Sequence, residues 1–133
     1  MIANFRNWLI FNFRLHEYRK ASLYVLPSPS ENFGMTVAEA LSVGIPVIAN
    51  KGAPWQELAT YHCGWWVDLG SHALATAIAQ AFNTAPLELN AMGQFGRKWM
   101  ESSFDWQGIS EKMDVFYQFL LGMREAPDYV DVV

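Results

Sequence analysis

LYVLPSPSENFGMTVAEALSVGIPVIA, residues 23–49, fits a strand, a loop, a helix and a second strand into about one βαβ length. Leu23-Tyr24-Val25-Leu26 is a nearly continuous apolar run rich in β-formers, closed by Pro27, Ser28, Pro29 and Ser30. A buried parallel strand that enters a loop has this pattern. Thr36 to Val43 contains good or neutral helix formers. Gly44 then offers a left-handed C′ position, and Pro46 bars the helix from continuing. Ile45-Pro46-Val47-Ile48-Ala49 reads as the next buried strand. The order predicts a right-handed crossover in an α/β, Rossmann-like parallel sheet flanked by helices, with ligands gathering at the carboxyl ends of the strands.

Glu31 and Glu39, with seven residues between them in Asn32-Phe33-Gly34-Met35-Thr36-Val37-Ala38, lie where the loop runs into the helix. Unpaired backbone N–H groups and the positive end of the helix dipole converge at such a junction, which suits phosphate. Two local readings compete with this one. Thr36 and Glu39 form a Thr-x-x-Glu pattern, so Glu39 fits the N3 position of a capping box. Glu31 also fits an exposed loop acid beside a helix N-terminus.

The run from about Ala21 to Asp68 resembles the donor-binding half of retaining GT-B glycosyltransferases, the large group often called family 4. Pro27-Ser28, the spaced glutamates, Glu39-Ala40-Leu41, Gly44-Ile45-Pro46-Val47-Ile48 and Lys51-Gly52-Ala53-Pro54-Trp55-Gln56-Glu57-Leu58 carry the resemblance in order. It implies a catalytic-site role for Glu31 beside the donor hexose, hydrogen-bonded to its hydroxyls. Asn32, Phe33, Gly34, Met35 and Thr36 match the stretch whose backbone approaches the sugar and diphosphate, and Glu39 matches the residue that grips the ribose. A carboxylate suits a vicinal diol because it accepts two hydrogen bonds. Gly34 fits where a Cβ would block close approach. The implied co-substrate is a nucleotide diphosphate sugar, with no metal or other cofactor.

Lys51 is a further candidate for a phosphate contact, against the commoner solvated lysine after a strand. Pro54 suits the first turn of a short helix carrying Trp55, Glu57 and Leu58, with Trp55 a packing residue. At 133 residues, 52% of them hydrophobic, the chain has enough for one domain and its core. The resemblance implies a second, acceptor-binding domain or subunit that completes the cleft. It also places a first strand, a glycine loop and a cationic pair before residue 15, where no match is found. The expected division is an apolar segment over 1–15, a donor-binding domain over 16–125 and a tail over 126–133. The expected function is hexosyl transfer to an acceptor hydroxyl, with the isolated chain inactive. The alternative is a non-catalytic nucleotide-sugar-binding module or one subunit of a split transferase.

Trp8-Leu9-Ile10-Phe11, flanked by Arg6 and Arg14, is compatible with contact at a membrane surface, but no signal peptide or spanning segment supports it. His16 to Lys20 should begin a helix that feeds the first strand. The net charge of −4, without a basic stripe, argues against a nucleic-acid partner. Cys63 stands alone, which excludes an internal disulfide framework and makes a reducing cytoplasm the expected location. His16, His62 and His72 show no ligand spacing, and Cys63 reads as a core or turn thiol. The chain lacks an Asp-x-Asp motif; Asp128 and Asp131 come nearest.

Gly64-Trp65-Trp66-Val67-Asp68 reads as a third strand, with tryptophans as wall and core. Ser71 should cap a helix to about Phe82 whose stripe is Leu74, Ala77, Ile78 and Ala81. Further helices are expected over Leu87 to Met100 and after Asp105, a plausible N-cap. Ile109, Met113, Phe116 and Leu120 recur along one face of the last helix. That face either packs on its own sheet or, left open, favours a dimer.

Overall fold

The computed structural model describes residues 15–130, so all but the last residue of the apolar segment expected over 1–15 and the last three residues of the chain lie outside it. Three strands, β1 (Tyr24–Leu26), β2 (Val47–Asn50) and β3 (Gly64–Val67), form one sheet in the order β1-β2-β3. Both pairings are parallel, with Tyr24 opposite Val47 and Val47 opposite Gly64. The expected α/β parallel sheet is therefore present. Every residue of the central β2 is buried, which explains why it reads as an unbroken apolar run up to Asn50.

After β1 the described residues form five helices: α1 (Met35–Ser42), α2 (Glu57–Thr60), α3 (Ser71–Asn83), α4 (Pro86–Ser103) and α5 (Trp106–Leu120). Helix α1 ends as its sequence predicts. Gly44 takes φ 82°, its N–H bonds the Leu41 carbonyl at 2.9 Å, and the Ile45 N–H bonds the Ala40 carbonyl at 3.0 Å. This pair of bonds is a Schellman motif, and it turns the chain directly into β2.

The pleat of β2 divides the core into two layers. Val47 and Ala49 pack with Val37, Ala40 and Leu41 of α1, Leu58 of α2 and Trp99 and Met100 of α4. Ile48 faces the other way, onto Ala77 and Ala81 of α3, with Leu74 and Ile78 beside them. The predicted stripe on α3 is thus the one that meets the sheet.

Several local expectations are corrected. Residues 15–18 are helical and the turn closes there, with Arg19 N–H on the Leu15 carbonyl and Ala21 N–H on that of Tyr18. Among the described residues the helical stretch stops at Tyr18, short of the Lys20 expected. Gly70, not Ser71, occupies the N-cap of α3, and no side chain caps it. Trp55 precedes α2 and is not carried on it.

The chain divides into two compact units, the first up to Met100 and the second from Glu101. In the second, Asp105 caps α5 as expected by accepting the Gly108 N–H at 2.8 Å. The described part of the tail expected over 126–133, up to Val130, is tied within this unit, since the Tyr129 hydroxyl donates to the Lys112 carbonyl at 2.8 Å. Among the described residues no helix is long and apolar enough to cross a membrane.

Candidate functional site

Three loops leave the carboxyl ends of the strands on one side of the sheet: residues 27–34, 51–56 and 68–70. Backbone bonds lock them together. The Glu31 N–H donates to the Gly52 carbonyl at 2.9 Å, and the Lys51 N–H to the Val67 carbonyl at 2.8 Å. The Trp66 indole donates to the Ala53 carbonyl at 2.9 Å.

Glu31, Asn32, Phe33, Gly34, Met35 and Thr36 line one open hollow of about 560 Å³, with Tyr24 and Leu26 of β1 as its remaining wall. Gly34 sits at the N-cap of α1 in the left-handed region, φ 77° and ψ 58°, and no side chain caps the helix. The first turn closes with the Val37 N–H on the Gly34 carbonyl at 2.9 Å, so the amides of Met35 and Thr36 have no acceptor within the helix. Those amides and the helix dipole favour an anion or an oxygen-rich ligand in the hollow. A Cβ on Gly34 would lie 3.1 Å from the Trp55 indole nitrogen, so conformation and space both call for glycine here.

Trp55 holds the floor of this loop. It is 1% exposed, its indole N–H donates to the Phe33 carbonyl, and its ring packs against Phe33 at 5.0 Å and Trp99 at 5.5 Å between centroids. The packing role expected for Trp55 holds, with a hydrogen bond to the site loop added to it.

The structure places the predicted residues unequally around the hollow. Glu31 is half-buried on its wall, and its carboxylate has no hydrogen bond or ion pair among the described residues. Glu39 is not on the wall but about one turn further along α1, where its carboxylate accepts the Tyr18 hydroxyl at 3.2 Å. It forms no capping box, because Gly34 takes the cap position and Thr36 already lies inside the helix. Tyr18 in turn packs edge-on against Tyr24, which does line the hollow, with centroids 5.5 Å apart. Nothing in the sequence near Glu39 signals Tyr18, which lies 21 residues away.

Lys51 is drawn elsewhere. Its ammonium pairs with Asp68 at 2.8 Å and lies 5.6 Å from the centre of the Trp66 ring, and it does not line the hollow of Glu31. Among the described residues no group of three or more His, Cys, Asp or Glu side chains is placed to hold a metal ion.

Cys63 is fully buried beneath α2, its thiol near the Leu58 carbonyl at 3.7 Å. Burial pushes the thiol from its ordinary 9.0 up to about 12. The folded state keeps a proton that the unfolded chain releases above about pH 9, so Cys63 should make stability fall as pH rises from 9 toward 12. Below that window its contribution is constant. Native protein should therefore resist an aromatic disulfide reagent at pH 8 and react fully in denaturant, and Cys63→Ala should lose this part of the alkaline slope. Fast reaction of the native thiol would contradict the burial.

A family model described as "Glycosyl transferases group 1" matches residues 14–99. D-inositol 3-phosphate glycosyltransferase of Segniliparus rotundus is 33% identical over 106 residues, covering 78% of this chain and 23% of that protein. Sucrose synthase of Solanum tuberosum is 30% identical over 95 residues, covering 68% of this chain and 12% of that protein. Among solved structures, sucrose-phosphate synthase from Thermosynechococcus elongatus superimposes with a TM-score of 0.71 at 30% identity, covering 81% of this chain and 27% of that one. A glycosyltransferase from Rickettsia africae gives 0.66 at 21% identity, covering 74% and 27%, a likeness of fold. The chain thus spans about a quarter or less of the length of these relatives.

Proposed function

Since this chain belongs to the group 1 glycosyl transferases, we propose that its first compact unit binds a nucleotide diphosphate sugar and presents it for hexosyl transfer to an acceptor hydroxyl. The observation that carries this reading is the hollow at the start of α1, where Glu31 and the uncapped amides of Met35 and Thr36 share one wall. The diphosphate oxygens accept from those amides, in the positive field of the helix end. The Glu31 carboxylate accepts hydroxyls of the sugar.

Glu39, steadied by Tyr18, takes the ribose diol about a turn further along α1. In the transfer, the bond from the anomeric carbon to the diphosphate breaks and a bond to the acceptor oxygen forms, while the acceptor hydroxyl gives its proton to the leaving diphosphate. Charge grows on the leaving diphosphate, and fixed amides stabilise it without reorganising. An acceptor-binding domain or subunit supplies the other wall of the cleft. Lys51 serves the diphosphate in this scheme only by leaving Asp68, so it is a secondary contact at most.

Calorimetric titration of UDP-glucose and GDP-mannose into wild type and Glu39→Ala tests the assignment. The expected result is binding of one donor by wild type and a loss of about tenfold in the variant, the equivalent of about 1.4 kcal/mol. Equal affinity in both proteins, or no binding by either at millimolar donor, would favour an inert domain.

A further inference from the structure

On the opposite face of the sheet from α1, the geometry points to a second binding site, built for a neutral polyhydroxyl ligand such as a pyranoside. Asn50 ends β2 and follows Ile48 on the face covered by α3. It is 2% exposed, and among the described residues it is the one polar residue with the buried side chains of the core. Its Nδ2 donates to the Asp68 carbonyl at 2.9 Å, on the β3 side. Its Oδ1 is buried and accepts no hydrogen bond. Asn50 also lines a hollow of about 420 Å³, together with Pro27, Pro29, Leu69, Gly70, Ser71 and Leu74.

The rim of this hollow offers the complementary chemistry. Gly70 is the N-cap of α3 without a side-chain cap, and the first bond into the helix is Leu74 N–H to the Gly70 carbonyl at 3.2 Å. The amides of Ser71 and His72 therefore have no acceptor within the helix. A ligand must donate to Asn50 at the wall and accept at the rim. An ammonium ion is disfavoured by the positive helix end, and a fully ionised phosphate has no proton for Oδ1. A hydroxyl does both jobs, and the C–H face of a sugar ring suits Pro27, Pro29, Leu69 and Leu74. One water would satisfy Oδ1, yet its volume of about 30 Å³ leaves most of the hollow open.

The test is a titration of the ¹⁵N-labelled chain with methyl β-D-glucopyranoside, followed by amide and side-chain NMR. The expected result is saturable shifts at the Asn50 side chain and the Leu69 to Ser71 amides, with Kd about 1 to 100 mM. Asn50→Leu should abolish them. Because that change also removes the bond to Asp68 and can unfold the chain, Ser71→Pro is the second variant. Proline is tolerated at the first helical position, and the extended ψ of 154° at Gly70 accommodates it. It removes one rim donor and should weaken binding about 2- to 10-fold. Shifts confined to residues 31–36, shifts unaltered by Ser71→Pro, or a long-lived water at Asn50 that persists with no sugar-dependent change would each overturn the proposal. The probe carries neither nucleotide nor phosphate, so failure here leaves the nucleotide-sugar reading standing.

Discussion

Trp55→Ala should lower stability by about 3–5 kcal/mol, as expected for removal of a fully buried large aromatic. The ring touches Phe33 on the site loop and Trp99 on α4, and Trp99 in turn stacks on Tyr61 with centroids 4.5 Å apart. The neighbours that would have to collapse into the cavity are themselves large rings held by other contacts, so relaxation is limited. Urea unfolding followed by circular dichroism would show this as a lower midpoint with little change of slope. Trp55→Phe separates the two roles of the residue. It keeps most of the volume but removes the donor to the Phe33 carbonyl, at a cost of about 1–3 kcal/mol. If the site reading is right, Trp55→Phe should weaken nucleotide-sugar binding even where the protein remains folded, because Gly34 and the amides behind it rest on that indole. A loss below about 1 kcal/mol for Trp55→Ala would mean the ring is not the support described.

What could be read from the chain was the part specified by local chemistry. The apolar runs Leu23 to Leu26 and Ile45 to Ala49, the helix between them and the Gly44 stop are all set by neighbours a few residues away, and the structure has strands at Tyr24–Leu26 and Val47–Asn50 with that helix and stop between them. Contacts made at long sequence separation were not legible. Lys51 read as a solvated lysine, with a phosphate contact as the second choice, because nothing nearby announces Asp68 as its partner. The capping-box alternative for Glu39 arose because the rule compares Thr36 with Glu39 and ignores that Gly34, left-handed, already holds the cap. Tyr18 and the indole bond of Trp55 to Phe33 were missed for the same reason, at separations of 21 and 22 residues. Asn50 did carry a signal, a polar residue closing an apolar run, and it marks a buried carbonyl oxygen without a partner.

From the sequence alone Gly52, after the second strand, reads as a glycine that permits a tight turn, but the structure needs it for a different reason, and the difference sets the last prediction. A tight turn would make Gly52→Ala a modest change of backbone preference. The structure instead brings Gly52 against the loop after β1, where an added Cβ would fall on the Pro29 carbonyl, well inside contact distance. The atoms it meets belong to backbone, so no side chain can rotate away, and the two loops must separate. Separation also pulls on the bond from the Glu31 N–H to the Gly52 carbonyl, which sets where Glu31 enters the hollow. Gly52→Ala should therefore cost at least the usual overpacking penalty of about 1–3 kcal/mol, and donor affinity should fall along with stability. The neighbouring Lys51→Ala is the control. It removes an exposed ion pair to Asp68, worth no more than about 1 kcal/mol, and leaves the loops in register. If the two substitutions proved equally mild in urea unfolding, the close approach of the two loops would be wrong, and with it the account of how Glu31 is positioned.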